Sequence, residues 1–248
     1  MNHSGEVFSQ DRWDIRCDWG PAGLRALGPS LDVVVVVDVL SFSTCVEIAV
    51  GRGAEVFPFR WKDAGAEEFA RKVGAELAGA RGNAKYSLSP ASLTGVVEGT
   101  SVVLPSPNGA TLSLAATQAR VLAGCLRNAA AVARAAESLG RRIGVIAAGE
   151  LWSDGTPRPC LEDWLGAGAI IHHLAGSLSP EAEAARATFR QLGPDLASLL
   201  LECASSRELC ERGYSEDVAL AAALDVSEVV PVLEGGAYRR LGKILAPS

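Results

Sequence analysis

A run of five valines ends in Asp38, and hydroxyls follow at Ser41, Ser43 and Thr44, where the chain turns helical. A carboxylate closing so apolar a stretch is costly to bury alone, so it calls for a metal ion, a base or a capping donor beside it. Three other stretches carry comparable chemistry. Ser106–Thr111 contains a Pro-Asn-Gly turn, in which Asn108 and Gly109 open a helix and offer backbone N–H groups to an anion. Gly149–Asp163 is a long loop ending in the acid pair Glu162-Asp163, and Tyr214–Asp217 ends in a second pair, Glu216-Asp217. Hard carboxylate oxygens suit Mg²⁺, which commonly works together with substrate phosphates, so this collection points toward metal-assisted phosphoryl chemistry. Acids in a first helical turn also complement the helix dipole, and that plainer account applies to both acid pairs. His172 and His173 fall mid-helix and read as structural, and His3 falls in a terminal tail.

These residues need a frame that brings them together. Trp13–Trp19 alternates apolar and polar residues as a half-buried strand does, and Gly20–Gly23 reads as a turn. Asp32–Leu40 lacks alternation, as expected of a parallel strand buried on both faces. A helix over Cys45–Val50 follows, with Thr44 and Glu47 spaced as a capping box. Further strands are expected at Ala54–Phe59, Ser101–Pro105, Val121–Cys125, Arg142–Ala148 and Val229–Val232. Helices are expected at Lys62–Ala78, Ala110–Ala119, Ala129–Leu139 (capped by Asn128), Leu161–Leu174, Pro180–Leu192, Pro194–Cys203 and Glu216–Leu224. Such alternation implies an α/β fold of three layers, α/β/α, with a largely parallel mixed sheet. Residues 1–248 read as a single domain, with a boundary between two lobes near 81–93 as the alternative. In open sheets of this kind ligands bind beyond the carboxyl ends of the strands, which is where Asp38, Ser43, Asn108 and Glu162 fall. All four are therefore expected in one pocket.

Composition narrows the function classes. The 248 residues are 48% hydrophobic, enough for a sizeable core, and 29 acids against 23 basic residues give a net charge of −6. That excess of acid repels nucleic acids and anionic lipid surfaces, so neither is an expected partner. The longest apolar run, Val33–Val37, is far below the ~20 residues a membrane span requires. Met1–Gln10 lacks a signal-peptide pattern, and the six cysteines lack C-x-x-C spacing, so the expectation is a cytoplasmic, reducing setting without structural zinc. A homodimer is left open. Neither a P-loop, a dinucleotide fingerprint nor a G-x-S-x-G elbow is present, and Leu40 replaces the second aspartate that a haloacid-dehalogenase phosphatase requires.

Val35–Thr44, "VVVDVLSFST", resembles the "VVDVLRAST" signature of the 2-phosphosulfolactate phosphatase family, which acts in coenzyme M biosynthesis. The likeness continues in order from Asp32 to Leu233: "GRGAEVFPF", "LSP" at Leu88–Pro90, "PSPNGAT", "RNAAAVA" at Arg127–Ala133, "AAGE", "CLEDWLGAGAII" at Cys160–Ile171 and "ERGYSEDVALAAALDVSEVVPVL". The resemblance implies an Mg²⁺-dependent phosphoric monoester hydrolase acting on a small anionic phosphoester that carries carboxylate and sulfonate groups. Matched residue by residue, it nominates Asp38, Glu162 and Asp163 for Mg²⁺ or its water. Ser41, Ser43, Thr44, Asn108, Gly109 and Asn128 are nominated for the substrate, and Asp217 joins Asp38 and Asp163 as a catalytic candidate. One departure bears on the anion site: Ser41 stands where the family has arginine, removing a fork donor. Arg81, Lys85 and Arg127 are the candidates to replace it, and restoring the charge by Ser41→Arg is expected to improve activity. The alternative function is a non-catalytic, anion-binding descendant of the family acting in a complex.

Overall fold

The computed structural model describes residues 7–60 and 64–242; His3 and Lys62, the first residue of an expected helix, lie outside the described residues. The first seven strands are β1 (Ile15–Trp19), β2 (Val33–Val37), β3 (Glu55–Phe59), β4 (Glu76–Leu77), β5 (Ser101–Pro105), β6 (Arg120–Gly124) and β7 (Ile143–Ala147). A small hairpin follows, β8 (Glu150–Leu151) with β9 (Pro157–Arg158), and the last pair is β10 (Pro231–Glu234) and β11 (Ala237–Arg240). The helices are α1 (Gly20–Leu27), α2 (Phe42–Gly51), α3 (Ala64–Val73), α4 (Pro90–Leu93), α5 (Gly109–Ala115) and α6 (Ala129–Leu139). Then come α7 (Leu161–His173), α8 (Pro180–Leu192), α9 (Leu196–Glu202), α10 (Ala204–Glu211) and α11 (Ser215–Ala222).

Nine strands form one sheet in the order β1-β7-β2-β6-β10-β11-β3-β5-β4. β1, β7, β2 and β6 are mutually parallel, and so are β3, β5 and β4. The β10–β11 hairpin joins the two sets through three successive antiparallel pairings, so the second set runs opposite to the first. The change of direction falls at this hairpin, whereas segment 81–93 lies within the second half.

β2 shows why the valine run does not alternate. Val33, Val35 and Val37 pack on one face with α6, α7 and α8, while Val34 and Val36 pack on the other with α1, α2 and α5. All five are buried, as the central strand of a three-layer fold requires.

Several expected elements differ. Gly20–Gly23 opens α1 instead of forming a turn; Pro21 suits a first helical turn, and a Cβ on Gly23 would lie 2.6 Å from Asp18 Cβ. The expected helix to Ala78 ends at Val73, because Gly74 takes a positive φ of 68° and the chain re-enters the sheet as β4. The helix after Asn108 ends at Ala115, not Ala119. Thr44 and Glu47 form no capping box: α2 starts earlier, at Phe42, and Glu47 is buried against Arg127 at 2.6 Å.

Candidate active site

The turn from β2 into α2 is built around Asp38. Its Oδ1 accepts the Phe42 N–H at 3.0 Å, and its Oδ2 accepts the Gly109 N–H at 2.9 Å. Gly109 opens α5 after β5, so two oppositely running halves of the sheet meet at a single carboxylate. The sequence predicts that one parallel sheet edge gathers them; instead the contact crosses between two halves of opposite direction. Only glycine allows it, since a Cβ at position 109 would lie 2.3 Å from Phe42 Cδ1 and 2.8 Å from Asp38 Oδ2. The free backbone donor expected at Gly109 is therefore occupied by Asp38. The Asn108 side chain is half-buried and makes no hydrogen bond among the described residues.

Asp163, in the first turn of α7, ties the neighbouring loops together. Its Oδ1 accepts the Val39 N–H and its Oδ2 the Gly149 N–H, each at 2.8 Å. Glu162 beside it is buried, and the Cys203 thiol donates to its Oε2 at 3.5 Å. Burial, then repulsion from Glu150 and Glu162, pushes Asp38 up to about 7 despite its two backbone donors. Burial, then Asp38 and Glu162, holds Asp163 well above the usual carboxylate range. Asp38, Glu150, Glu162 and Asp163 thus form an acidic cluster at the carboxyl ends of β2 and β7, and none of the four makes an ion pair among the described residues. Glu150 was not nominated from the sequence. Its signal was present: it stands three residues beyond β7, at the same kind of strand end that singled out Asp38.

The remaining nominated residues divide sharply. Ser43 is fully buried; its hydroxyl donates to Val36 O at 2.9 Å and accepts the Asp38 N–H at 3.1 Å. Thr44 donates to Val39 O at 2.7 Å. Both hydroxyl protons are committed to the turn, so these side chains shape it and present no donor to a phosphate, contrary to the role expected for them. Asn128 is likewise internal. Its Oδ1 accepts the Cys125 N–H at 2.9 Å and its Nδ2 donates to Val229 O at 2.9 Å, joining the end of β6 to the segment before β10, without capping α6 or facing a substrate. Asp217 lies away from the acidic cluster's hydrogen bonds: its Oδ1 accepts from Ser89 Oγ at 2.6 Å and from the Ala91 N–H at 2.9 Å, holding the start of α4.

Beside the cluster opens a cleft of about 880 Å³, whose lining includes Leu40, Glu150, Trp152, Arg81, Arg158 and Arg212. Of the three candidates for a replacement guanidinium or ammonium, Arg81 alone reaches position 41: its NH2 donates to Ser41 Oγ at 2.8 Å. Arg127 is held by Glu47 and by Leu220 O at 2.9 Å, and Lys85 pairs with Glu76 at 2.9 Å on the surface. Ser41 is 1% exposed, so an arginine placed there would compete with Arg81 for the same space, which removes the basis for expecting Ser41→Arg alone to improve activity.

Among the described residues no group of three or more His, Cys, Asp and Glu side chains is placed to hold a metal ion between them. Mg²⁺ does not need such a group: it is usually bound by one or two carboxylates and keeps several waters, so an unpaired cluster of oxygen donors beside a cleft fits it.

The chain thus combines a three-layer α/β fold with carboxylates gathered beside a cleft whose lining includes three arginines. A model of the 2-phosphosulpholactate phosphatase family matches residues 25–236. Consistent with this, the chain is 31% identical over 216 residues to the 2-phosphosulfolactate phosphatase of Methanothermobacter thermautotrophicus, covering 85% of this chain and 90% of that one. It is 33% identical over 218 residues to the probable enzyme of Deinococcus radiodurans (83% and 89% covered) and 32% over 226 residues to that of Thermus thermophilus (86% and 91%). The chain belongs to the 2-phosphosulfolactate phosphatase family, a family of phosphoric monoester hydrolases.

Proposed function

We propose that the protein is an Mg²⁺-dependent phosphatase that hydrolyses a small anionic phosphoester of the 2-phosphosulfolactate type. The observation that carries this reading is the acidic cluster: four carboxylates from three segments, the turn after β2, β8 and the first turn of α7, converge beside the cleft without a basic partner among the described residues. Buried like charges are tolerated only when protonated or when a cation joins them. Asp38 and Glu150 are the two carboxylates that would hold Mg²⁺ together with waters, with Glu162 adding negative charge nearby and Asp163 keeping their loops in register through Val39 and Gly149. When bound, the ion would neutralise charge on the phosphoryl oxygens and lower the pKa of a coordinated water. The chain's own contribution is positional. Phe42 and Gly109 N–H groups fix both oxygens of Asp38, the Asp163 bonds fix the loop that carries Glu150, and Asn108 has a free amide for a substrate oxygen.

No helix among the described residues is long and apolar enough to cross a membrane. Six unpaired cysteines, five of them buried, support a cytoplasmic, reducing setting. The function is tested by inorganic phosphate release from 2-phosphosulfolactate and from p-nitrophenyl phosphate, with Mg²⁺ and with EDTA. Metal-dependent release that favours 2-phosphosulfolactate supports the reading. Release from neither substrate overturns it.

A further inference from the structure

We propose that Arg81 is the cation that grips one of the non-reacting acid groups of the substrate, and that Ser41 and Asp217 position it. This rests on the phosphatase reading and adds to it the residue that sets substrate preference.

Arg81 lines the cleft while its side chain is only 13% exposed, so most of its water has already been removed. It is held at defined points: Nε donates to Leu88 O at 2.7 Å, NH2 donates to Ser41 Oγ at 2.8 Å, and the guanidinium sits 5.4 Å from the centre of the Tyr214 ring. Its NH1 stands 3.9 Å from Asp217 Oδ2, near enough for charge balance but beyond hydrogen-bond length. Asp217 Oδ2 is itself buried without a hydrogen bond, although Oδ1 has two donors. The pair is thus set up with NH1 lacking a hydrogen-bond acceptor among the described residues.

The other cleft arginines are engaged differently. Arg212 pairs with Glu208 at 3.2 Å, and Arg158 lies over the Trp152 ring with a long, 3.4 Å contact to Ser205 Oγ. Arg81 is the pre-organised one, and a guanidinium fixed in advance loses little entropy on binding. The carboxylate cluster, being negative, requires its cation for the phosphoryl group. A second acid group on the substrate needs a separate positive partner, and a planar fork suits carboxylate or sulfonate oxygens. The 2.8 Å contact between positions 41 and 81 also means that a guanidinium can be delivered to nearly the same place from either one.

The test is the ratio of kcat/KM on 2-phosphosulfolactate to kcat/KM on p-nitrophenyl phosphate, which has no acid group besides its phosphate. In Arg81→Gln the ratio should fall by about tenfold or more, as expected for one lost charged contact. In the relocated variant Ser41→Arg/Arg81→Ser much of that ratio should return. A merely structural role for Arg81 would lower both activities together and leave the ratio unchanged, overturning the proposal. So would a relocated variant that folds with the ratio of Arg81→Gln. If that double variant does not fold, Arg81→Lys replaces it: a ratio between wild type and Arg81→Gln supports the proposal, and one equal to Arg81→Gln counts against it. If the wild type hydrolyses neither substrate, the phosphatase reading fails and Arg81 is judged by calorimetry with 2-phosphosulfolactate. About tenfold weaker binding by Arg81→Gln upholds it; equal affinity, or no binding by the wild type, overturns it.

Discussion

Replacing Gly109 by alanine adds a single carbon at the point where the two halves of the sheet meet. That Cβ would lie 2.3 Å from Phe42 Cδ1, 2.6 Å from Phe42 Cγ and 2.8 Å from Asp38 Oδ2. Phe42 cannot easily withdraw, being fully buried and edge-on to Tyr238 with ring centroids 6.1 Å apart. Overpacking of a tight core costs about 1–3 kcal/mol. Pulling the Gly109 N–H off the Asp38 carboxylate adds about 1.5–3 kcal/mol, the worth of a hydrogen bond to a charged group. The expected loss is therefore about 2.5–6 kcal/mol, read as a lower urea midpoint at unchanged m-value. Phe42→Leu removes the ring edge, so in the double variant the two losses should fall short of their sum by at least about 1 kcal/mol. A Gly109→Ala protein within about 0.5 kcal/mol of wild type, or strictly additive losses, would refute the claim that this glycine exists for the Asp38–Phe42 contact.

Three further outcomes follow from the same geometry. Asp163→Asn keeps the shape but sets an NH₂ group against either Val39 or Gly149 N–H, so urea unfolding should show a loss of about 1–3 kcal/mol. Arg127→Ala strands the buried Glu47 carboxylate and should cost about 3–5 kcal/mol, while KM of the remaining folded protein stays within twofold or so, because this pair lies in the scaffold. Asp32 is held down to about 2 by hydrogen bonds from the Arg142 guanidinium and backbone, below the 3.8 of a free aspartate. A depressed carboxyl stabilises the fold above its unfolded pKa and loses that contribution as pH falls through the folded value. Asp32→Asn should therefore flatten the fall in stability between about pH 4 and pH 2, followed by thermal melts, with only a modest effect because the pair is partly exposed.

What could be read beforehand depended on whether the signal was local. Five valines without alternation marked β2 because both its faces are covered, and Pro180 in a first turn marked the start of α8. Asp38, Glu162 and Asp163 were legible as acids at strand ends. Their neighbour Glu150 obeyed the same rule and was passed over because, within Gly149–Asp163, only the terminal acid pair was singled out. The β11 strand was missed although Gly235 and Gly236, with φ of 58° and 85°, form the kind of tight turn that joins hairpin strands. Without that hairpin the reversal between the halves of the sheet could not be foreseen. Side-chain direction was not legible at all. Ser43, Thr44 and Asn128 have the right chemistry for a phosphate, but backbone groups a few residues away claim them first. The Arg81–Ser41 bond spans 40 positions and leaves no trace in periodicity.

The claim on which all of this rests is that the carboxylates around Asp38 are the phosphatase centre, and the rate of phosphate release from 2-phosphosulfolactate by Asp38→Asn at saturating Mg²⁺ tests it most directly. Asparagine can keep an acceptor for Phe42 or Gly109 while removing the negative charge, so the fold should survive and be verified by its melt. The account predicts a fall in kcat of about a hundredfold or more, the scale of losing a group that acts at the reacting atoms. A folded Asp38→Asn protein that releases phosphate at the wild-type rate would contradict it.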